Sequence, residues 1–436
     1  MNKNSQEFDT FIYGQDPRCQ FSSDCQQTMC NNNVLVESTT GGGKTLSTVV
    51  PNLIHMKHTN PVVLFTKRST MEKARRVMEK HGYHTSFLNF VDPRPADDGY
   101  DPLVHCQTDA DIQNLAHTIV FSEKGVGEHD PFWDVSAEQI IEVVLRFVHD
   151  GHYNRGCTLL DAVKLLDHIH PEEDFYEETD EAEWTDRSWR GNGNPKAKHP
   201  LHYAMRNLQK INEKDFAVWQ AFNEGAEQTS ASMTSTVNMH MAKTFNSDVR
   251  EILKLEKQFS FETLLQPQQA LFVYTSPVNP ATHRFVAIFY HQLFKTLFEL
   301  GERQPDGRLP YPVHVVCDDF ATGCRIPNFD QTISIFREKG ISVTMLIQSE
   351  TQLAGLYGID AAKTITNNCD TIVYLGGMDL KTCEEVAKRA DLPLRDILSM
   401  PVGEELFFRR GLAPIRTKRY DTLNDPVYKK YIANAR

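Results

Sequence analysis

The eight residues from Ser38 to Thr45 have the composition of a phosphate-binding loop. They read Ser-Thr-Thr-Gly-Gly-Gly-Lys-Thr, follow an apolar run and open a helical pattern. Glycines let backbone N–H groups turn towards phosphate oxygens, and the amino end of a helix adds a favourable dipole. Ser38 replaces the first glycine of the pattern G-x-x-x-x-G-K-S/T, which is tolerable if the backbone there needs no positive φ. The loop predicts nucleotide binding, with a glycine-rich turn that holds no ligand as the alternative.

The residues of this loop divide into a cradle and two side chains that act on the ligand. We expect Lys44 to reach the β- and γ-phosphates of ATP, and the Thr45 hydroxyl to bind Mg²⁺. The backbone cradle for the phosphates is formed by Ser38, Thr39, Thr40, Gly41, Gly42 and Gly43. ATP and Mg²⁺ are therefore the expected ligands.

A pair of acids ends a second apolar run. Val313–Cys317 is followed by Asp318 and Asp319. Asp318 is the candidate partner of the metal, and Asp319 is the candidate for orienting or deprotonating the attacking water. The alternative is a cap at a strand end. Asp is one methylene shorter than the Glu usual in this role, and a misplacement of about 1 Å can cost about 10²-fold in rate, so slow hydrolysis is one expectation.

Two polar residues beyond the acid pair fit the same chemistry. Arg337 ends a helical pattern, from which it would reach a neighbouring subunit's γ-phosphate as an arginine finger; the alternative is a cation at its own helix end. Gln348 follows the run Ile341–Ile347. An amide there would sense the γ-phosphate, or else hydrogen-bond the start of the next helix.

Apolar runs rich in β-branched residues alternate with helical patterns at both ends of the chain. The helical patterns nearest the loop are Lys44–Met56 and Thr70–His81. Continuous apolar strands that alternate with helices predict an α/β fold with a parallel sheet covered on both faces. The expected strands are Asn33–Glu37, Pro61–Thr66, His84–Phe90, Ala270–Thr275, Val313–Cys317, Ile341–Ile347, Thr371–Leu375 and Glu404–Arg409.

Helical patterns replace strands in the middle of the chain, as in Ala137–Val148, Thr158–Ile169 and Leu208–Phe222. We therefore expect residues 1–107 and 263–436 to form one nucleotide-binding domain, and residues 108–262 to form an all-α insertion. Within the insertion, Pro171–Asp186 is densely acidic. This segment is either a solvated excursion or a docking site for a basic partner.

The composition places the chain among globular proteins. Its 436 residues carry 46 Lys and Arg against 58 Asp and Glu, which gives a net charge of −12. Net acidity does not by itself favour DNA binding, although basic residues cluster at 67–80 and 409–419. The nine scattered cysteines favour a reducing compartment, and no window is apolar enough for a membrane span or secretory signal, so we expect a cytoplasmic location.

The segment from Asp318 to Met378 resembles the TraG/TraD-like coupling proteins of conjugative type IV secretion systems. Weaker similarity lies at Val50–Leu53, Tyr100–Leu103 and Asp130–Trp133. The matching words are Asp319–Ala321, Ile326–Phe329, Arg337–Val343, Gln348–Ser349, Gln352–Leu353, Leu356–Gly358, Asn368–Thr371 and Leu375–Asp379.

This resemblance implies a RecA-like P-loop ATPase that works at the inner face of the cell membrane. It implies a ring of six subunits, single-stranded DNA and a relaxase or other secreted substrate as partners, and contact with the secretion channel. The family's membrane-spanning region is absent here, which implies a soluble form, an excised fragment or a separate anchor subunit. Asp319 replaces the family's usual Glu, and only Lys67 matches the family's Asp-Pro-Lys-Gly-Glu motif.

The first functional hypothesis is an ATPase that couples hydrolysis to delivery of DNA or a relaxase–DNA complex to a type IV secretion channel. The second is a recruitment adaptor that binds nucleotide but turns it over poorly. Ser38 and Asp319 are the features that support the second hypothesis. A DNA-segregation translocase of the FtsK kind is a third possibility, which the segment after Asp319 disfavours.

Overall fold

A nine-stranded sheet forms the centre of the protein. The computed structural model describes residues 7–92, 94, 96–122, 131–152, 158–167, 169, 205, 212–276, 281–320 and 325–433. The strands of this sheet are β3 (Val34–Glu37), β4 (Asn60–Phe65), β5 (His84–Asn89), β6 (Gln269–Tyr274), β7 (Val313–Cys317), β8 (Ile341–Ile347), β9 (Thr371–Tyr374), β10 (Glu404–Arg409) and β11 (Ile415–Lys418). A separate two-stranded hairpin consists of β1 (Thr10–Ile12) and β2 (Gln20–Ser22).

The sheet is parallel except at one edge. Its strand order is β11-β10-β9-β3-β8-β7-β4-β6-β5, and only the pairs β9–β10 and β10–β11 are antiparallel. Every residue of β3, β4, β7 and β8 is buried. Burial of both faces explains why these strands read as unbroken apolar runs in the sequence. The predicted α/β fold is confirmed, and each of the eight expected strands is present with its ends displaced by at most one residue.

Helices cover both faces of the sheet. In chain order they are α1 (Cys25–Thr28), α2 (Val50–His55), α3 (Arg68–Lys80), α4 (Asp109–Phe121), α5 (Phe132–His149), α6 (Leu159–Asp167), α7 (Glu213–Glu224), α8 (Glu227–Thr244), α9 (Ser247–Leu253), α10 (Ala281–Glu302), α11 (Phe329–Thr332), α12 (Phe336–Lys339), α13 (Glu350–Tyr357), α14 (Ile359–Asn367), α15 (Leu380–Ala390), α16 (Leu394–Leu398) and α17 (Pro426–Tyr428). Within the described residues, no helix has the length and apolar character needed to cross a membrane.

Side-chain alternation along the strands divides most of the core into two clusters, beside a small third cluster of Val50, Ile54 and Val77. Leu35 and Val343 belong to the larger cluster, which includes residues of α4 and α10. Val36 and Leu346 belong to the other cluster, with residues of the β1–β2 hairpin, α2 and α3. Because successive side chains of a strand point to opposite faces, the two clusters lie on opposite sides of the sheet.

In its described part, the stretch between β5 and β6 contains α4 to α9 and no strand. Residues of these helices join the larger core cluster together with α10, so the insertion packs on one face of the sheet. The exact bounds of the insertion stay a prediction. Its acidic segment Pro171–Asp186 lies outside the described residues, as do Asp130 and Ala321.

Candidate active site

Four neighbouring strand ends form one cavity. The strands β3, β8, β7 and β4 are adjacent and parallel, so their carboxyl ends meet at the same edge of the sheet. The loop from Ser38 follows β3, Gln348 follows β8, Asp318 follows β7 and Thr66 follows β4. A cavity of about 340 Å³ opens at this edge. Its lining includes Thr39 to Thr45, Asp318, Asp319 and Gln348, which brings together the side chains expected for ATP and Mg²⁺ within one subunit.

The glycine-rich loop has the backbone of a phosphate cradle. Gly41 and Gly43 have φ angles of 77° and 81°, which favour glycine. A Cβ atom at Gly42 would lie 1.9 Å from the Ser38 Oγ, so this position also requires glycine. Ser38 itself is buried and is not among the residues of positive φ. The serine in place of the first glycine is therefore compatible with the loop.

Lys44 lies at the end of the loop, directly before the helical turn, and its side chain is buried. Its Nζ donates to the Ser38 carbonyl oxygen at 2.7 Å. Burial lowers the pKa of Lys44, while the carboxylates of Asp319 and Asp318 raise it. If the Lys44 ammonium moved from the Ser38 carbonyl oxygen to a phosphate, its hydrogen-bond partner would be charged instead of neutral. A hydrogen bond between two charged groups is the stronger of the two.

The helix after the loop begins with a widened turn. Thr45–Val49 forms a π-helical turn that continues as α2, and the Val50 N–H donates to the Thr45 carbonyl oxygen. Pro51 has no N–H and its ring would crowd the carbonyl four residues earlier, which explains the widening. The Asn52 side chain bonds both backbone groups of Ile12 at 2.8 Å. The first hairpin is thereby attached to the helix that carries Thr45.

The acid pair lies beside the loop, with its two carboxyl groups in different environments. Burial first, and then the Asp319 carboxylate, raise the pKa of Asp318 to about 6. The Thr66 hydroxyl lies 3.4 Å from one carboxylate oxygen of each acid. Asp319 has a φ of 52°, a left-handed conformation that Asp tolerates better than most residues. A buried acid with a raised pKa next to a cavity is typical of metal and catalytic sites.

Gln348 lines the cavity between the loop and the acid pair. Its backbone N–H donates to the Gln352 side chain at 3.3 Å, and Ser349 caps α13. Within the described residues, no hydrogen bond of the Gln348 side-chain amide is recorded. This amide is therefore in place to contact a ligand in the cavity.

Arg337 lies near the amino end of β8, whereas the cavity lies at the carboxyl ends of the strands. It belongs to α12, which precedes β8. Seven residues of strand span roughly 20 Å. The Arg337 carbonyl oxygen accepts from Cys25 Sγ at 3.3 Å, and its guanidinium lies 4.0 Å from Met29 Sδ. Arg337 thus takes no part in the cavity of its own subunit, and its role at a neighbour's cavity stays a prediction.

Four residues that line the cavity were given no role in the site from the sequence, although Lys67 matches one position of the family's motif. Thr66, Lys67, Thr70 and Lys73 line the cavity because β4 lies next to β7, a neighbour relation that the sequence alone does not give. Arg419 was noted only as one of a basic cluster. Its guanidinium donates to the carbonyl oxygens of Gly42 and Leu375, and so connects the loop with the end of β9.

Glu37 lies directly before the loop and is completely buried. Burial first, and then the nearby Glu350 carboxylate, raise its pKa to about 8. Burial thus disfavours a negative charge on Glu37 beneath the phosphate cradle.

Comparison with protein families matches residues 2–390 of the chain to the model described as "Type IV secretory system Conjugative DNA transfer". No curated protein matches the chain. The matched region includes the loop, the acid pair, Arg337 and Gln348.

Solved structures with a similar fold include the conjugative coupling protein TrwB. The trigonal form of TrwBΔN70, in complex with sulphate, has a TM-score of 0.66 and 15% sequence identity, over 90% of this chain and 86% of that chain. TrwB with the ATP analogue ADPNP has a TM-score of 0.65 and 15% sequence identity, over 90% of this chain and 86% of that chain. TrwB with ADP and Mg²⁺ has a TM-score of 0.64 and 14% sequence identity, over 89% of this chain and 86% of that chain. At this identity the likeness shows a shared fold.

Proposed function

Because the chain belongs to the type IV secretory system conjugative DNA transfer family, as a TraG/TraD-like coupling protein, we propose that it is an ATP-hydrolysing coupling protein. It recruits DNA or relaxase–DNA substrates to a type IV secretion channel and helps to translocate them. The observation that carries the proposal is the convergence of the loop, the acid pair and Gln348 on one cavity.

The residues of the cavity fit Mg²⁺ and a nucleoside triphosphate. The glycine cradle and Lys44 would hold the phosphates, and Thr45 and Asp318 would hold Mg²⁺. When bound there, Mg²⁺ would supply positive charge that offsets the negative charge developing in phosphoryl transfer. Asp319 would orient the attacking water and accept its proton, and Gln348 would contact the γ-phosphate. TrwB, crystallised with ADPNP and with ADP and Mg²⁺, supports this assignment by its fold.

The proposed assembly is a hexameric ring with single-stranded DNA near its central pore. In this arrangement the insertion at 108–262 is a separate all-α domain, and residues 1–107 and 263–436 form the nucleotide-binding domain. The ring would lie at the inner face of the cell membrane beside the secretion channel, with the membrane anchor as a separate subunit or segment. Arg337 would complete the site of the adjacent subunit.

ATPase activity should depend steeply on protein concentration. An arginine supplied by a neighbour is worth 10³–10⁵ in rate in other phosphoryl-transfer systems, so specific activity should rise as subunits assemble and rise further with single-stranded DNA. Arg337→Ala should remove most of that rise, whereas Arg94→Ala, at an exposed arginine outside the cavity, should keep it. A specific activity that stays flat over the concentration range would remove Arg337 from this role.

A second candidate, the recruitment adaptor, is favoured by the acid at position 319. Its side chain is shorter than Glu and its backbone is left-handed. Both features restrict where the carboxylate can hold a water molecule. An adaptor would bind the nucleotide and hydrolyse it slowly.

Replacement of Asp319 distinguishes the two candidates. For the ATPase we expect Asp319→Glu to change the steady-state rate by far less than the roughly 100-fold that a misplaced base costs, and Asp319→Asn to lose most of the rate. Phosphate release at saturating ATP measures both variants. A gain of about 100-fold for Asp319→Glu would instead support the adaptor.

A further inference from the structure

Two lysines of the β4–α3 segment line the cavity. Lys67 and Lys73 are both exposed, and within the described residues neither has a recorded hydrogen bond or ion pair. Two arginines of the adjoining helix are paired with acids. Arg68 contacts Glu72 at 2.8 Å and Arg75 contacts Glu79 at 2.9 Å, so those charges are satisfied by the protein. The charges of the two lysines remain available to a ligand.

Of these two exposed lysines, Lys67 is the one whose charge acts on the acid pair. In the register of β4 and β7, Leu64 is opposite Cys317, so the chain that leaves β4 passes Asp318. Thr66, the preceding residue, is in contact with both acids. The Lys67 ammonium lies close enough to lower the pKa of both Asp318 and Lys44. Its charge therefore acts where Asp318 and Lys44 converge.

The described residues that line the cavity include more lysines than acids. Among the described residues that line it, the charged ones are Lys44, Lys67, Lys73, Asp318 and Asp319, and no arginine is present. The two acids offset two of the three lysines. Mg²⁺ held by Asp318 would offset part of the charge of a bound triphosphate, and Lys67 is the exposed cation placed to add a second positive charge at that end of the cavity.

We propose that Lys67 is a catalytic residue that donates a charge-assisted hydrogen bond to the γ-phosphate of ATP bound in its own subunit. The inference rests on the proposed function, because it assumes that ATP occupies this cavity. Lys67 makes this contact within one subunit, before any neighbour contributes Arg337. Because ADP has no γ-phosphate, this hydrogen bond makes the isolated subunit bind ATP more tightly than it would without Lys67, and leaves its affinity for ADP unchanged.

The test compares nucleotides with and without a γ-phosphate. For Lys67→Gln we expect the Kd for ADPNP with Mg²⁺ to rise about tenfold and the Kd for ADP with Mg²⁺ to change by less than about twofold, since a hydrogen bond to a charged group is lost only with ADPNP. Lys67→Arg should restore most of the ADPNP affinity. Arg76→Gln removes an exposed cation of the same helix that does not line the cavity, and should change neither Kd.

Titration calorimetry on the full chain measures these constants. Equal weakening of ADPNP and ADP, or no change in either, would overturn the assignment of Lys67 while leaving the proposed function in place. A wild-type chain that binds neither nucleotide would overturn both. The Lys67 side chain is exposed, so the variants should fold, and a melting curve for each verifies this.

Discussion

The Lys44→Ala variant should lose ATP hydrolysis by about 10²–10³-fold, the cost of removing one preorganised electrostatic partner of a developing charge. Lys44 is the cation at the end of the loop, and its ammonium contacts only the loop carbonyl of Ser38 among the described residues. A ligand phosphate in the cavity would take that contact over. Among the described lysines of the cavity, none other belongs to the loop itself.

The fold should survive this substitution. Burial lowers the pKa of Lys44, so its removal relieves a desolvation cost as well as removing one hydrogen bond. Phosphate release measures the rate and circular dichroism measures the melting temperature. Lys363→Ala, at an exposed lysine of α14 outside the cavity, serves as the control and should keep full activity. Hydrolysis that persists in Lys44→Ala at the wild-type rate would mean that another site is responsible.

The Asp318→Asn variant should lose Mg²⁺-dependent hydrolysis by a similar factor of about 10²–10³, because the amide cannot supply the negative charge that holds the metal. The pH dependence of the wild type gives a second signature. A metal ligand must be deprotonated, and the pKa of Asp318 is raised to about 6, so binding of ADPNP with Mg²⁺ should weaken as the pH falls below about 6. The loss of affinity that comes from protonation of Asp318 should be absent in Asp318→Asn.

The same carboxyl group should cost stability in the absence of ligand. Its pKa is 3.8 in the unfolded reference and about 6 in the fold, so the folded chain keeps the proton that the unfolded chain loses between these values. Stability therefore falls as the pH rises through that window. At pH 7.5 Asp318→Asn should be more stable to urea than the wild type, by up to about 3 kcal/mol. A variant that is less stable at pH 7.5 would show that the carboxylate is favourably paired in the fold.

Local patterns in the sequence were sufficient for most of the sheet and for the cradle. The buried parallel strands read as continuous apolar runs, and the loop from Ser38 to Thr45 is contiguous in the chain. The short strands β1, β2 and β11 were not predicted, because they lack a continuous apolar run. In β11, only Ile415 is buried and charged or polar residues follow it, so its pairing with β10 depends on the hairpin rather than on its own pattern.

Residues that reach the cavity from distant parts of the chain could not be found from the sequence. Thr66 and Lys67 lie beside Asp318 because β4 and β7, which are far apart in the sequence, are neighbouring strands of the sheet. Arg419 reaches Gly42 only because β11 returns along β10. Arg337 was expected at the γ-phosphate of a neighbouring subunit, and its separation from its own cavity by β8 leaves that expectation a prediction.

Calorimetric titration of the full chain with ATP and Mg²⁺ tests the central claim most directly. We expect a saturable heat of binding with one nucleotide per chain, which is absent in Lys44→Ala and loses its dependence on Mg²⁺ in Asp318→Asn. No heat of binding for the wild-type chain, over a concentration range that saturates other P-loop proteins, would contradict the assignment of this cavity to a nucleotide.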